Sequence, residues 1–284
     1  MIHGLISSIW RRADGMNNKD ATSLFAEIGA MAKDLKLDIT AEEMAKFTQD
    51  NSLSYDTVYY IHQLFRMMSE KKYAHIVEMM LNLSRLPMKH PCTFDNFDFT
   101  RFHGHEADEL ENLQTLSMLE ARQNLLLVGP QGIGKTHLAM AIGYECCKQG
   151  YKTYFLKASE MNDKFTAALR DGQREKIIRR LVKPTCLIID EFGYCDFDKE
   201  NTRLFFDVVD RRYSKDVPNT MILTSNVEPD RWVDFFSDEE ALKSAMDRFF
   251  DQCLVISMHG NSFRGSGRKK IDVHVGELIP ETSI

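Results

Sequence analysis

The stretch NLLLVGPQGIGKTHLAMAIGYECC, residues 124–147, restricts the fold more than any other part of the chain. Its apolar start, 124–128, reads as a strand with no polar alternation, and residues 135–148 carry the apolar spacing of a helix. Between them, GPQGIGKT sets Gly129, Gly134, Lys135 and Thr136 in the order G-x-x-x-x-G-K-[ST]. Glycines let the backbone curl so that successive N–H groups point inward. The helix opening at Lys135 adds the positive end of its dipole at the same place. The run Gly129, Pro130, Gln131, Gly132, Ile133, Gly134, Lys135, Thr136 and His137 is therefore read as a cradle for the phosphates of ATP. Lys135 is expected to reach the β and γ phosphates, and the Thr136 hydroxyl to ligate Mg²⁺.

A strand that runs into such a loop belongs in a parallel sheet. Four further apolar runs support one: KTYFL (152–156), CLIID (186–190), MILTS (221–225) and CLVIS (253–257). Helical patterns follow the first four strands, at 135–148, 159–182 in two pieces, 199–213 and 229–250 in two pieces. Continuous apolar strands separated by helices predict an α/β fold, with a five-stranded parallel sheet flanked by helices. Residues 20–86 read as helices, with a capping box predicted at Thr40 to Glu43. The expected organisation is a helical N-terminal domain over 1–90, its first 20 residues unassigned, then a linker at 91–104 marked by Pro87 and Pro91. An ATPase domain follows at 105–265, and a tail at 266–284 of mixed acidic and apolar character reads as disordered.

The third strand ends in two adjacent carboxylates, Asp190 and Glu191. Burying a carboxylate is costly unless a partner meets it. Beside a phosphate loop the partner for Asp190 is expected to be Mg²⁺ or its water shell. Glu191, one residue on, points elsewhere and can polarise a water for attack on the γ-phosphate. One acid for metal and one for water predicts hydrolysis. A small-molecule kinase has no need of the second acid there.

Composition narrows the setting. The 284 residues are 43% apolar and 27% charged, ordinary for a soluble protein, and the net charge of −6 announces no global attraction to nucleic acid. Six cysteines form no CxxC pair and no metal-ligand spacing, which predicts reduced thiols and a cytoplasmic protein. No stretch approaches the length of a membrane span. One local cluster, RDGQREKIIRRLVK (170–183), includes Arg174, Arg179 and Arg180. From the residues themselves this is a solvated helix face pairing with acids.

The ordered motifs resemble those of an AAA+ ATPase of the IstB/DnaC group, and within it the IstB-like helpers of insertion-sequence transposition. FDNFDFT (94–100), IIDEFGY (188–194), VVDRRY (208–213), ILTSN (222–226), Trp232, FFSD (235–238), AMDRF (245–249) and NSFR (261–264) carry the likeness, which spans roughly residues 35–265. Gln131, Phe192 and Cys195 depart from the usual pattern.

The resemblance implies that Asn226 is the polar sensor orienting the attacking water. Arg248 would be an arginine finger offered to a neighbouring subunit, and Arg264 a second sensor within its own. A finger supplied in trans implies a head-to-tail homo-oligomer, ring or filament. The resemblance also turns the basic cluster toward DNA, with Lys157, Arg174, Arg179 and Arg180 as backbone contacts. The implied function is ATP-dependent assembly on double-stranded DNA and regulation of a transposase through ATP hydrolysis. A DnaC-type replicative helicase loader is the alternative.

Overall fold

A computed structural model describes residues 18–102 and 105–262. The chain divides into two compact units between Asn82 and Leu83.

The first unit is helical: α1 (Asn18–Asp34), α2 (Ala41–Asp50) and most of α3 (Tyr55–Ser84). Phe25, Ile28, Met44, Ala45 and Val58 form its core. The capping box is present, Glu43 N–H donating to Thr40 Oγ1 (3.2 Å) and Thr40 N–H to Glu43 Oε2 (2.8 Å). His62 Nε2 meets Glu27 Oε2 at 2.8 Å, tying α3 to α1. Hydrogen bonds from Ser23 and His62 hold the Glu27 carboxyl below its ordinary range.

In the second unit, α4 (His105–Asn112) and a single turn, α5 (Ser117–Glu120), precede the sheet. The sheet and its helices then alternate as β1 (Asn124–Val128), α6 (Lys135–Lys148), β2 (Thr153–Lys157), α7 (Ala158–Arg170), α8 (Arg174–Val182), β3 (Cys186–Asp190), α9 (Lys199–Tyr213), β4 (Thr220–Ser225), α10 (Glu239–Asp251) and β5 (Cys253–Ser257). The spatial order is β2-β3-β4-β1-β5, and every pairing is parallel. This is the expected five-stranded parallel sheet, with strand ends shifted by one residue at β2 and β4.

The inner strands β3 and β4, and β1 from Leu125 on, are buried on both faces, which is why they do not alternate with polar residues, whereas the edge strand β5 is only partly covered and leaves Val255 exposed. Along β1, Leu125 and Leu127 join the cluster of Leu138, Ile142 and Ile188, whereas Leu126 and Val128 join that of Phe165, Ile178 and Phe192. Residues 91–102, read from the sequence as part of a linker, belong to this second unit. They form single 3₁₀ turns at Phe94–Asn96 and Phe99–Arg101. Phe97 is buried, and Phe94, Phe99 and Phe102 pack with it against the α6 side of the sheet.

Candidate nucleotide site

Parallel strands deliver their carboxyl ends to one edge of the sheet, the usual location of a ligand crevice. Here β1 delivers the phosphate loop, β3 Asp190 and Glu191, and β4 Thr224 and Asn226. β4 lies between the other two, so its residues can reach both. At Gly129, φ is +148° and an added Cβ would stand 2.1 Å from the Met258 carbonyl oxygen, so only glycine lets the chain leave β1 beside β5. Gly134, at φ +111°, then starts α6.

Lys135 is buried. Its ammonium donates to the carbonyls of Gly129 and Pro130 and to Asn226 Oδ1, each at 2.7 Å. A phosphate oxygen entering the loop would exchange for these neutral acceptors and supply the stronger, charge-assisted bond. Asp190 is buried as well, and its Oδ1 accepts from Thr136 Oγ1 (2.7 Å) and Thr224 Oγ1 (2.5 Å). A carboxylate and a threonine hydroxyl in contact form a hard-oxygen pair, and Mg²⁺ takes one or two carboxylates along with phosphate oxygens and water. The residues present fit that ion.

Glu191 diverges from Asp190 because its φ is +59°, the left-handed region a non-glycine residue seldom adopts. The turn is held by Glu191 N–H donating to Thr224 Oγ1 (3.1 Å) and Phe192 N–H to the Thr224 carbonyl (2.8 Å). The Thr224 hydroxyl thus donates to one acid and accepts from the backbone of the other. The Glu191 carboxylate, partly exposed, pairs with Lys157 Nζ at 3.0 Å. Lys157 is the β2 residue in register with Asp190, so the sheet itself brings the ammonium there.

These groups border a cleft of about 570 Å³. Gln131, Gly132, Gly134, Lys135, Thr136 and His137 line it from the phosphate loop, with Glu191, Thr224 and Asn226 from the strand ends. The third side is Pro87, Cys92, Asn96, Phe97 and Asp98. Sequence reasoning read that segment as a linker and gave its side chains no part in the site, nor did it give one to Thr224.

Residues 30–271 match the family model described as IstB-like ATP binding protein. The chain belongs to that family. It is 35% identical over 233 residues to the protein of Geobacillus stearothermophilus named as the ATP-binding protein of insertion sequence IS5376, covering 81% of this chain and 90% of that one. It is 31% identical to the one named for IS21 in Pseudomonas aeruginosa, over 72% and 75% of the two chains. The crystal structure of DnaI shares the fold at 18% identity and a TM-score of 0.50, covering 65% of this chain and 99% of that chain.

In this IstB-like chain Arg248 falls elsewhere. Arg248 does not line the cleft. Its Nε pairs with Asp210 Oδ1 at 2.8 Å, its guanidinium lies 5.1 Å from the Phe206 ring centre, and it borders a separate pocket of about 240 Å³ with Arg122, Tyr213 and Asp251. Arg264 lies outside the described residues. Of the basic cluster, Arg174 pairs with Asp207, and Arg179 lies 3.6 Å from Glu175. The guanidinium of Arg180 stacks 5.2 Å from the Tyr154 ring centre. Between α7 and α8 runs a groove of about 860 Å³, with Lys164, Lys176, Arg179, Arg180 and Lys183 among its lining residues. Among the described residues no helix is long and apolar enough to cross a membrane.

Proposed function

We propose that this chain is a DNA-binding ATPase that assists transposition of an insertion sequence. The observation that carries the reading is the division between adjacent acids. Asp190 is buried against Thr136 and Thr224, while Glu191 turns into the cleft with its carboxylate accessible. Thr136 and Asp190 would hold Mg²⁺, which when bound neutralises charge on the β and γ phosphates. Lys135 leaves its loop carbonyls for the γ-phosphate side of ATP, and Asn226, released from Lys135, is free to orient a water. Glu191, once apart from Lys157, accepts that water's proton as it attacks, giving ADP and phosphate.

Arg248 is the one proposed catalytic group in the described residues that does not line this cleft, which supports its service to a neighbouring copy, arranged head to tail. The basic groove between α7 and α8 supports contact with a DNA backbone, and the relatives carry the names of insertion sequences. The partners are therefore duplex DNA and the transposase of the same element.

Phosphate release with MgATP tests the reading. Glu191→Gln should keep ATP binding and lose at least about a hundredfold in turnover, the scale of a lost general base. Lys135→Ala should lose binding itself. Normal turnover in Glu191→Gln would remove the assignment. Mass photometry with MgATP and either duplex or single-stranded DNA then separates a transposition helper, assembling on duplex, from a helicase loader.

A further inference from the structure

The cleft has two chemically different sides. The phosphate loop offers backbone N–H groups and Lys135. The facing wall offers Pro87, Cys92, Asn96, Phe97 and Asp98, apolar or neutral groups and one carboxylate that would repel phosphate. That chemistry suits a flat heteroaromatic base, and it is built from a short irregular segment instead of a strand or a long helix.

The segment is braced by α6, through His137 and Tyr144. Asn96 Oδ1 accepts from Thr93 N–H (2.8 Å), and Asn96 Nδ2 donates to the Pro91 carbonyl (2.8 Å), which closes the turn and fixes the orientation of the amide. His137 Nε2 then sits between the Thr93 carbonyl (3.1 Å) and Asn96 Oδ1 (2.8 Å). Both neighbours are acceptors, so Nε2 carries the proton and donates. The Phe97 ring meets the imidazole edge-on at 5.4 Å. Seven residues on, and so on the same side of the helix, Tyr144 OH donates to the Pro87 carbonyl. Met140, between them on that side, lines the cleft. His137 directly follows Thr136, so one backbone step joins the phosphate-binding residues to the strut that holds the opposite wall.

We propose that His137 is a positioning residue that fixes the 91–98 wall against the start of α6 and so sets affinity for the base end of the nucleotide. This rests on the cleft being the ATP site. His137 acts on the wall through its side chain, and a substitution there keeps the backbone that the sequence reading placed in the phosphate cradle.

Calorimetric titration of the full chain with Mg²⁺ and either ATP or inorganic tripolyphosphate separates the two ends of the cleft. His137→Ala should weaken ATP about five- to tenfold, the worth of one or two lost neutral hydrogen bonds, and leave tripolyphosphate unchanged. His137→Gln, which keeps an N–H donor, should recover most of the ATP affinity. Equal weakening of both ligands, or of neither, would overturn the proposal, as would a glutamine variant that behaves like alanine. Lys135→Ala is the control for the site beneath. It should lose both ligands, and a wild-type chain that binds neither would remove the nucleotide site and this role with it.

Discussion

Lys157 and Glu191 hold each other at 3.0 Å, and both are partly exposed. The ion pair turns the Glu191 carboxylate toward Lys157 and away from a water in the cleft, so Lys157→Ala should raise DNA-free ATP turnover about two- to fivefold, the range of a partly solvated ion pair. A fall in phosphate release would mean that the lysine instead holds Glu191 in its working position. Thr224 matters differently, because one hydroxyl serves both acids. Thr224→Val keeps the shape and removes both bonds. Steady-state turnover should fall about tenfold or more, and chemical unfolding should show a loss of about 1–3 kcal/mol, the cost of unmet buried polar groups. That Lys135, Thr136, Asp190 and Glu191 meet at one edge of the sheet was legible in the sequence, because each lies where a strand ends or a helix begins. Thr224 and Lys157 were not, since their meeting with Asp190 and Glu191 depends on which strands lie side by side, which periodicity does not state.

The strands and most helices of the second unit were legible because the inner strands, buried on both faces, keep unbroken apolar runs, the edge strand β5 keeps one as well, and the helices keep their spacing. The 91–102 segment was not. Pro87 and Pro91 announce a break in helix, while the surface the segment covers depends on Phe94, Phe97 and Phe99 finding the flank of α6. Also outside the reach of sequence patterns is the end of α9, where Arg212 is wholly buried and donates to the carbonyls of Leu181, Val182, Pro184, Thr185 and Thr220. Burial pushes the Arg212 guanidinium down to about 10. Nearby, burial first and Arg212 second push Lys215 from its ordinary 10.5 down to about 8. The unfolded chain therefore keeps the Lys215 proton to higher pH than the folded one, and this residue's contribution to stability rises as pH climbs from about 8 to about 10.5. Lys215→Met should stabilise the protein at about pH 7, and the advantage in urea midpoint should shrink across that window. An advantage that stays constant with pH would show that Lys215 does not change its charge there.

At the scale of the whole molecule, the chain falls into two compact units that meet between Asn82 and Leu83. The boundary falls inside the last turn of α3, where the helical pattern runs on without a break. The Arg248 reading makes hydrolysis a property of assemblies. Arg248→Ala should bind ATP like the wild type, and its turnover should fail to rise with protein concentration or added duplex. For the groove between α7 and α8, Lys176→Glu with Lys183→Glu should weaken duplex binding. The slope of log affinity against log salt should fall by roughly one for each DNA phosphate that the variant no longer neutralises, and an unchanged slope would move the DNA elsewhere.

The strand order carries a further consequence for how the protein is made. β1 lies between β4 and β5, its Leu125 in register with Ile222 and Leu254. Both neighbours leave the ribosome about a hundred residues or more after β1 does. The phosphate loop is therefore translated early and given its shape late. Met258, whose carbonyl bounds Gly129, must emerge before that corner is complete. A nascent chain stalled ahead of β5 holds every residue of the loop but lacks the segment against which Gly129 closes.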